Sequence, residues 1–275
     1  MLDAVRRVEL RAARRIPRPR DPVLQRIVGA VEGAVRGRAT PEERAWIRRI
    51  EALRRRLLAS ERRVALPDFG PGHSSVSDRE PWSGYSPSRT VAEQCAGSKS
   101  PFGARVLFRL VREFGPARCL ELGANLGISA AYQSAALRLN GAGALTTVEG
   151  APELARLARE NLSSLGLEAQ VLEGRFGDVL PAVLAAPEPL DYVFIDGHHD
   201  GPATVAYFDR IHPSLARGAL VVFDDVEWSS GMARAWEEIR GDPRVRVSVG
   251  LGAMGIAWVD GADGPRVRAD VPLHI

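Results

Sequence analysis

The sequence predicts an α/β protein built around a mostly parallel β-sheet. From about residue 101 to about residue 240, short apolar runs alternate with stretches of helical spacing, the order typical of parallel strands linked by helices that cover both faces of a sheet. The runs are mainly apolar, as expected for strands buried on both faces. Two last strand candidates, 245–250 and 255–261, are joined by only four residues. Because this is too short for a helical crossover, the pair is predicted to form an antiparallel hairpin.

Seven strands are predicted in all, and each earlier one ends near a glycine or an acid. The five before the hairpin are RCLELG (118–123), ALTTVEG (144–150), EAQVLEG (168–174), DYVFID (191–196) and ALVVFDD (219–225). A helix is predicted in each interval between them, and another at about 230–240.

The N-terminal part of the chain has a different character. Its first 65 residues favour helix: an apolar periodicity over 20–37 ends in glycine, and Thr40, Pro41 and Glu43 are typical of the start of a helix that runs to about residue 60. Pro, Gly and Ser then dominate to about residue 90. We therefore divide the chain into a basic helical extension (1–65), a linker or substrate-capping loop (66–97) and the α/β domain (98–275).

Composition limits the function classes. The 275 residues are 45% apolar and 26% charged, an ordinary globular composition with enough length for a large core. The chain has no run of about 18 uncharged apolar residues and no secretory leader, so neither a membrane span nor export is expected. With only two cysteines, nothing requires an oxidising compartment, and we expect a cytoplasmic location.

Charge is distributed unevenly along the chain. Residues 1–63 contain 18 Arg and 8 Asp or Glu, whereas the remainder is acidic overall. A basic segment can bind nucleic acid or an anionic membrane. This segment offers little aromatic surface for stacking on bases, and the chain uses Arg almost everywhere, with Lys99 as its one lysine. We therefore favour a solvated helical face over a nucleic-acid partner.

Open α/β sheets bind ligands beyond the carboxyl ends of their strands. The first strand runs into ELGANLG (121–127), whose glycines allow a tight turn and whose following helix offers free N–H groups to an anion. The glycine spacing is not G-x-G-x-x-G, which argues against a dinucleotide oxidoreductase. Glu149 ends the second strand and is placed to accept hydrogen bonds from ribose hydroxyls, unless it is simply an exposed loop acid. Phe176, in GRFGD (174–178), could pack on a flat base or belong to the core.

Three acids end the fourth and fifth strands. Asp196 follows one, and Asp224 with Asp225 follows the other. Neighbouring parallel strands lie about 4.8 Å apart, so these carboxylates are expected to crowd together. Protonation or a cation must relieve their repulsion, and a hard divalent cation such as Mg²⁺ suits oxygen ligands. His199 follows in Asp-Gly-x-His, a position that on its own is read as an exposed loop histidine.

Together these motifs resemble those of the class I S-adenosylmethionine-dependent methyltransferases. ELGANLG is similar to their first glycine motif, VEG (148–150) to their acidic second-strand end, and EGRFGD (173–178) to their adenine-side loop. The nearest likeness, over about residues 92–265, is to the metal-dependent O-methyltransferases of the catechol and caffeoyl-coenzyme A type and their bacterial sugar-modifying relatives. It implies a Rossmann-like sheet, S-adenosylmethionine as methyl donor, and Mg²⁺ or another divalent cation.

The resemblance also implies residue roles. The cofactor contacts it implies are Ser98, Glu121, Gly123, Asn125, Gly127, Ser129, Glu149, Gly150, Phe176, Gly177 and Asp196. The implied metal ligands are Asp196, Asp224 and Asp225. His199 is the implied general base, because an imidazole with a pKa near 6.5 can take a proton at neutral pH. His198 is read as its structural neighbour, and Trp228 either walls the acceptor pocket or caps the core.

The sequence thus predicts methyl transfer to a hydroxyl of a small molecule, such as a sugar, a phenol or another secondary metabolite. The Asp-Asp pair disfavours a catechol, since the catechol enzymes carry a different pair there. An RNA methyltransferase that uses the Arg-rich segment stays open as an alternative, as does a cofactor-binding scaffold without catalysis. A homodimer is also left open.

Overall fold

The computed structural model of the protein describes residues 20–66, 88–261 and 265–271. Its helices are α1 (Pro22–Val35), α2 (Pro41–Leu58), α3 (Val91–Ala96), α4 (Pro101–Phe114), α5 (Ile128–Asn140), α6 (Pro152–Leu165), α7 (Phe176–Leu184), α8 (Gly201–Ile211) and α9 (Ser230–Gly241). Its strands are β1 (Arg63–Ala65), β2 (Ser88–Thr90), β3 (Arg118–Leu122), β4 (Ala144–Glu149), β5 (Gln170–Glu173), β6 (Leu190–Ile195), β7 (Leu215–Phe223), β8 (Val245–Leu251), β9 (Met254–Val259) and β10 (Val267–Asp270).

The main sheet has the order β10-β8-β9-β7-β6-β3-β4-β5. The strands β7, β6, β3, β4 and β5 are parallel, and β9 lies antiparallel between β7 and β8. The predicted mostly parallel sheet with a terminal antiparallel hairpin is therefore confirmed. An eighth strand, β10, was not predicted; it is a four-residue edge strand in which half-exposed and exposed residues alternate, and it carries too few apolar residues to be recognised.

Two hydrophobic clusters cover the sheet. Along β6, Tyr192 and Phe194 belong to the cluster that includes α1, α2, α4, α5 and α6, whereas Val193 and Ile195 belong to the one that includes α7, α8 and α9. Alternate residues of a strand point to opposite faces, so helices lie on both faces of the sheet, as predicted.

The N-terminal helices share the main core. Ile27 of α1 and Ile50 of α2 are fully buried in the same cluster as the helices of the sheet domain. Asp21 caps α1 and also pairs with Arg246 of β8 at 2.6 Å, and Arg26 pairs with Glu113 at 3.2 Å. These two pairs join α1 to the sheet domain, and the Arg26 side chain stays 42% exposed. The division at residues 65 and 97 stays a prediction.

The start of α2 shows how local sequence fixes these helices. Thr40 and Glu43 form a reciprocal capping box, with Pro41 in the first turn, as the sequence predicts. Of the predicted linker or capping loop, residues 67–87 lie outside the described residues, and the part that follows forms β2 and α3. No described helix is both long enough and apolar enough to cross a bilayer.

Candidate active site

A cavity of about 680 Å³ lies at the carboxyl ends of the central parallel strands, under α3 and the loop that follows it. Nine of the eleven residues predicted to contact the cofactor line it: Ser98, Gly123, Asn125, Ser129, Glu149, Gly150, Phe176, Gly177 and Asp196. His198, His199, Asp225 and Trp228 line it as well. Glu121, Gly127 and Asp224 are absent from the lining.

The glycine loop is shaped by close backbone contact. At Gly123, with φ of +105°, an added β-carbon would lie 1.8 Å from the carbonyl oxygen of Asp196. A side chain at position 123 is therefore excluded, because the backbones that follow β3 and β6 are in direct contact there. Gly127, with φ of +80°, begins α5 and faces Ala158 rather than the cavity. Its role is the turn itself, so a direct cofactor contact from this glycine is not supported.

The end of β4 is tied to the glycine loop through Glu149. Its carboxylate accepts hydrogen bonds from the backbone N–H groups of Asn125, at 2.7 Å, and Ala151, at 2.9 Å. Burial raises the pKa of Glu149, and these hydrogen bonds oppose the shift. The carboxylate is half-buried and lines the cavity, which leaves it able to accept further hydrogen bonds from a ligand.

A lid of one short helix closes one side. The side-chain amide of Gln94, on α3, donates to Asn125 Oδ1 at 3.0 Å, and Asn125 Nδ2 donates to the Gln94 carbonyl at 3.4 Å. Ser98 Oγ lies 3.5 Å from the same Nδ2. Gln94 thus ties α3 to the glycine loop, a role that sequence reasoning missed. Cys95 itself is buried against α2, where its thiol faces the Arg54 carbonyl.

An aromatic wall stands on the opposite side of the glycine loop. The Phe176 ring lines the cavity and meets Tyr207 edge to face, with ring centroids 5.6 Å apart. At Gly197 an added β-carbon would lie 2.8 Å from the Phe176 ring, so the chain leaves room there for this ring. His198 Nδ1 lies 2.8 Å from the hydroxyl of Tyr207, which agrees with the structural role predicted for His198.

Strand register brings the acids together. Leu122 pairs with Ile195, and Ile195 pairs with Phe223, so the residues that follow these three occupy one row at the edge of the sheet. Asp196 and Asp224 are both in that row, and each backbone N–H donates to the strand beside it at 2.9 Å. Burial, and then the neighbouring carboxylate of Asp224, raises the pKa of Asp196 well above its usual value.

A cation that the sequence analysis did not anticipate lies among these acids. The ammonium of Lys99 makes an ion pair with Asp224, and the two side chains are only 6% and 5% exposed. Lys99 comes from the loop between α3 and α4, and it lines the cavity. Lys99 stood out in the sequence as the one lysine of the chain. Its spacing from other motifs did not predict contact with Asp224, which lies 125 residues later at the end of β7.

His199 is held by the second acid of the pair. Its Nδ1 lies 3.3 Å from Asp225 Oδ2, and both side chains are about one-third exposed. The backbones of His199 and Asp225 have positive φ, 42° and 52°, a conformation that costs free energy and often marks a functional site. The ring of Trp228, 65% exposed, lies 6.0 Å from the His199 ring. Of the two roles predicted for Trp228, the cavity wall therefore fits and the core cap does not.

Glu121, predicted to contact the cofactor, does not line the cavity. It is fully buried beneath the glycine loop, where it accepts hydrogen bonds from Thr147 at 2.6 Å and Gln133 at 2.8 Å. Burial raises its pKa from the usual 4.5 to about 7. The carboxyl therefore supports the loop from below and does not line the cavity. Sequence motifs could not separate these two positions, since a strand residue near its end faces either the ligand or the layer beneath.

Glu121→Gln is expected to change how stability depends on pH. Unfolded, Glu121 releases its proton near pH 4.5, whereas the folded protein holds it to about pH 7. Its stabilising contribution is complete below about pH 4.5, is lost as the pH rises to about 7, and stays low above that. The variant should therefore gain free energy of unfolding relative to the wild type at pH 8 compared with pH 4. Urea denaturation at both pH values measures this, and identical pH dependence in the two proteins would contradict it.

The predicted divalent metal fits this arrangement poorly. In the described part of the chain, no group of three or more His, Cys, Asp or Glu side chains is arranged to hold a metal ion. The Lys99 ammonium already lies on Asp224, and His199 lies on Asp225. Two of the three expected ligands thus have a cationic or hydrogen-bonding partner of their own.

The comparisons with known proteins agree with this geometry. Residues 120–226 match the family model of a methyltransferase domain. The matched range begins in β3 and ends just after β7, so it includes the glycine loop, Glu149, the aromatic wall and the acids.

Three proteins that are similar to this chain are O-methyltransferases. A catechol O-methyltransferase from Niastella koreensis is 33% identical over 132 residues, 47% of this chain and 58% of that protein. An O-methyltransferase from Bacillus cereus, solved in complex with SAH, is 26% identical with a TM-score of 0.53, covering 62% of this chain and 86% of that one. TomG from Streptomyces achromogenes, an O-methyltransferase involved in tomaymycin synthesis and solved with SAM, is 26% identical with a TM-score of 0.52, covering 60% and 82%.

These findings confirm the predicted resemblance to class I methyltransferases. They also limit it, since the chain spans less than two thirds of the length of the Niastella protein. The helices α1 and α2 lie before the matched methyltransferase range.

Proposed function

We propose that the protein is an S-adenosylmethionine-dependent O-methyltransferase that acts on a hydroxyl group of a small molecule. The observation that carries the proposal is a single cavity that joins the glycine loop and Glu149 to a histidine paired with a carboxylate. The similar proteins solved with SAM and SAH support the same donor.

The residues present fit S-adenosylmethionine. The beginning of α5 offers backbone N–H groups to the carboxylate of an amino acid. Glu149 is placed to accept hydrogen bonds from ribose hydroxyls, and Phe176 offers a flat apolar face for an adenine. When bound, S-adenosylmethionine would supply a methyl group on a sulfonium centre.

His199 has the environment of a general base. A carboxylate next to Nδ1 favours the tautomer that carries its hydrogen there, which leaves Nε2 with a lone pair. That nitrogen would take the proton of an acceptor hydroxyl, and Asp225 would stabilise the resulting imidazolium, as the carboxylate does in other acid–histidine pairs. The remaining task of the chain is to hold acceptor and donor in line, which is commonly the larger part of the rate gain.

The sequence predicts divalent-metal assistance, but the proposed reaction does not use it. The reason is that Lys99 already pairs with Asp224 and His199 already contacts Asp225. The exposed Trp228 ring beside His199 suits a planar or sugar-like acceptor, and the sugars, phenols and other hydroxylated metabolites named above stay within the proposal.

Methyl transfer from labelled S-adenosylmethionine to a panel of sugars, phenols and hydroxylated metabolites tests the function. We expect turnover on a hydroxyl acceptor, together with saturable cofactor binding in calorimetry. A short structured RNA included in the panel tests the alternative acceptor. A protein that binds the cofactor but methylates none of these would support the scaffold alternative, and one that does not bind it would contradict the proposal.

Glu149→Gln is expected to weaken S-adenosylmethionine binding about 10- to 100-fold, because hydrogen bonds to a charged acceptor contribute roughly 1.5–3 kcal/mol. Glu173→Gln is the matched control: Glu173 pairs in register with Glu149 on the neighbouring strand but does not line the cavity. Calorimetric titration measures both affinities. Equal affinities in the two variants would remove Glu149 from the cofactor site.

A further inference from the structure

A lysine of the chain supplies a positive charge to the three acids at the ends of β6 and β7, Asp196, Asp224 and Asp225, here called the acid row. Asp196, Asp224 and Asp225 meet at the ends of β6 and β7, and the ammonium of Lys99 lies on the most buried of the three, Asp224. Lys99 is attracted electrostatically by all three carboxylates, those of Asp224, Asp196 and Asp225. A single positive charge thus occupies the place where repulsion between the carboxylates demands one.

The pair of Lys99 and Asp224 is shielded from water, because the two side chains are only 6% and 5% exposed. Removing one partner of a buried ion pair leaves an uncompensated buried charge, which is strongly destabilising. Lys99 and the acids are therefore a unit.

Short-range structure holds Lys99 in place. The helix α3 before it begins with a capping box between Thr90 and Glu93, and Ser100, the next residue, caps α4 by accepting from the Gly103 N–H at 3.0 Å. The lysine backbone thus lies between the end of α3, where the Ser98 N–H donates to the Cys95 carbonyl at 3.0 Å, and the capped beginning of α4.

The residue type points in the same direction. The chain uses arginine for every other strongly basic side chain and lysine only here. An ammonium is a compact point charge, whereas a guanidinium is a broad planar fork. A compact cation is what a narrow gap between neighbouring strand ends accepts, so the one lysine lies where a small ion would otherwise be needed.

We infer that the Lys99 ammonium is the resident cation of this acid row, so that the protein binds no divalent metal there and turns over without one. The part of the inference that concerns turnover rests on the proposed function. The part that concerns metal binding does not, and it can be measured on the protein in the absence of any acceptor.

The first test uses the wild-type protein and Mn²⁺ as the probe. Electron paramagnetic resonance of free Mn²⁺, titrated with and without S-adenosylmethionine, should show no saturable binding at millimolar concentrations. Turnover on an acceptor should be unchanged by a chelator. Saturable Mn²⁺ binding by the wild type that is lost in Asp224→Asn, or loss of turnover in chelator, would overturn the inference. Failure to bind S-adenosylmethionine would instead count against the proposed function and leave the Mn²⁺ result readable.

The second test exchanges the cation. Lys99→Met keeps the length of the stem but removes its charge, so it should gain Mn²⁺ binding, and its metal-free turnover should fall roughly 10²–10³-fold, as when one preorganised electrostatic group is removed. Arg109→Met, the matched control, removes a cation that pairs with the buried Glu43 outside the cavity lining, and it should not gain Mn²⁺ binding. A folded Lys99→Met protein that binds no Mn²⁺, or that retains wild-type turnover without metal, would overturn the inference. If this variant does not fold, the wild-type titration decides.

Discussion

Replacing His199 with alanine is expected to lower methyl transfer about 10²–10⁴-fold, the range typical of a lost general base. Affinity for S-adenosylmethionine should stay unchanged, because His199 contacts Asp225 and Trp228, which are not among the residues proposed to hold the cofactor. Turnover under saturating cofactor, combined with calorimetric cofactor binding, separates the two effects. A proportional loss of cofactor affinity would point to a general disturbance of the cavity instead.

His212→Gln is the matched control for this substitution. His212 follows α8 and packs near Phe208, with ring centroids 6.3 Å apart, outside the cavity lining. Its replacement removes an imidazole without touching the proposed site, so turnover should equal that of the wild type. Asp225→Asn gives a further check: it keeps the shape of the partner but removes its charge, and the turnover loss should approach that of His199→Ala. Unimpaired turnover in His199→Ala would remove this histidine from the mechanism.

The parts of the fold that sequence predicted best are those where one local pattern decides the outcome. Five short, mainly apolar runs alternating with helical stretches indicated buried strands, and the four-residue link between the last two strands is too short for a helical crossover and indicated a hairpin. Thr40 and Glu43 likewise fixed the beginning of α2 through contacts three residues apart. β10 was not predicted because it is an edge strand of only four residues with charged side chains facing solvent, so its sequence shows little alternation of apolar and polar residues.

Within the site, motifs predicted which loops converge but not which side chain fills each place. Asp196 and Asp224 were expected to meet because the carboxyl ends of parallel strands share one edge, and the register of β6 with β7 brings them there. The partner of Asp224 came from a loop far away in sequence, so only the fold could reveal Lys99. Glu121 was misplaced for the same reason. Its position in the glycine motif did not indicate whether its carboxyl would face the cavity or the buried core beneath the loop.

Among the glycines of the described residues, Gly123 is expected to be the one whose replacement by alanine is most damaging. At φ of +105° alanine is strained, at a cost of about 1–3 kcal/mol, and the new methyl group would overlap the Asp196 carbonyl oxygen, 1.8 Å away. Overpacking of this kind adds about 1–3 kcal/mol more. We therefore expect the free energy of unfolding to fall by at least about 2 kcal/mol, and cofactor binding to be lost as the loop moves away from β6.

Gly166→Ala separates backbone strain from overlap. Gly166 also has a positive φ, +67°, but an added β-carbon there meets nothing within 4 Å. This variant should lose only about 1–2 kcal/mol, the cost of a left-handed backbone in alanine, and it should bind S-adenosylmethionine like the wild type. Urea denaturation and calorimetry on both variants make the comparison. If Gly123→Ala is no less stable than Gly166→Ala and still binds the cofactor, then the contact between the glycine loop and the Asp196 backbone is not what shapes the cavity. In that case the placement of the donor beside His199 would need another explanation.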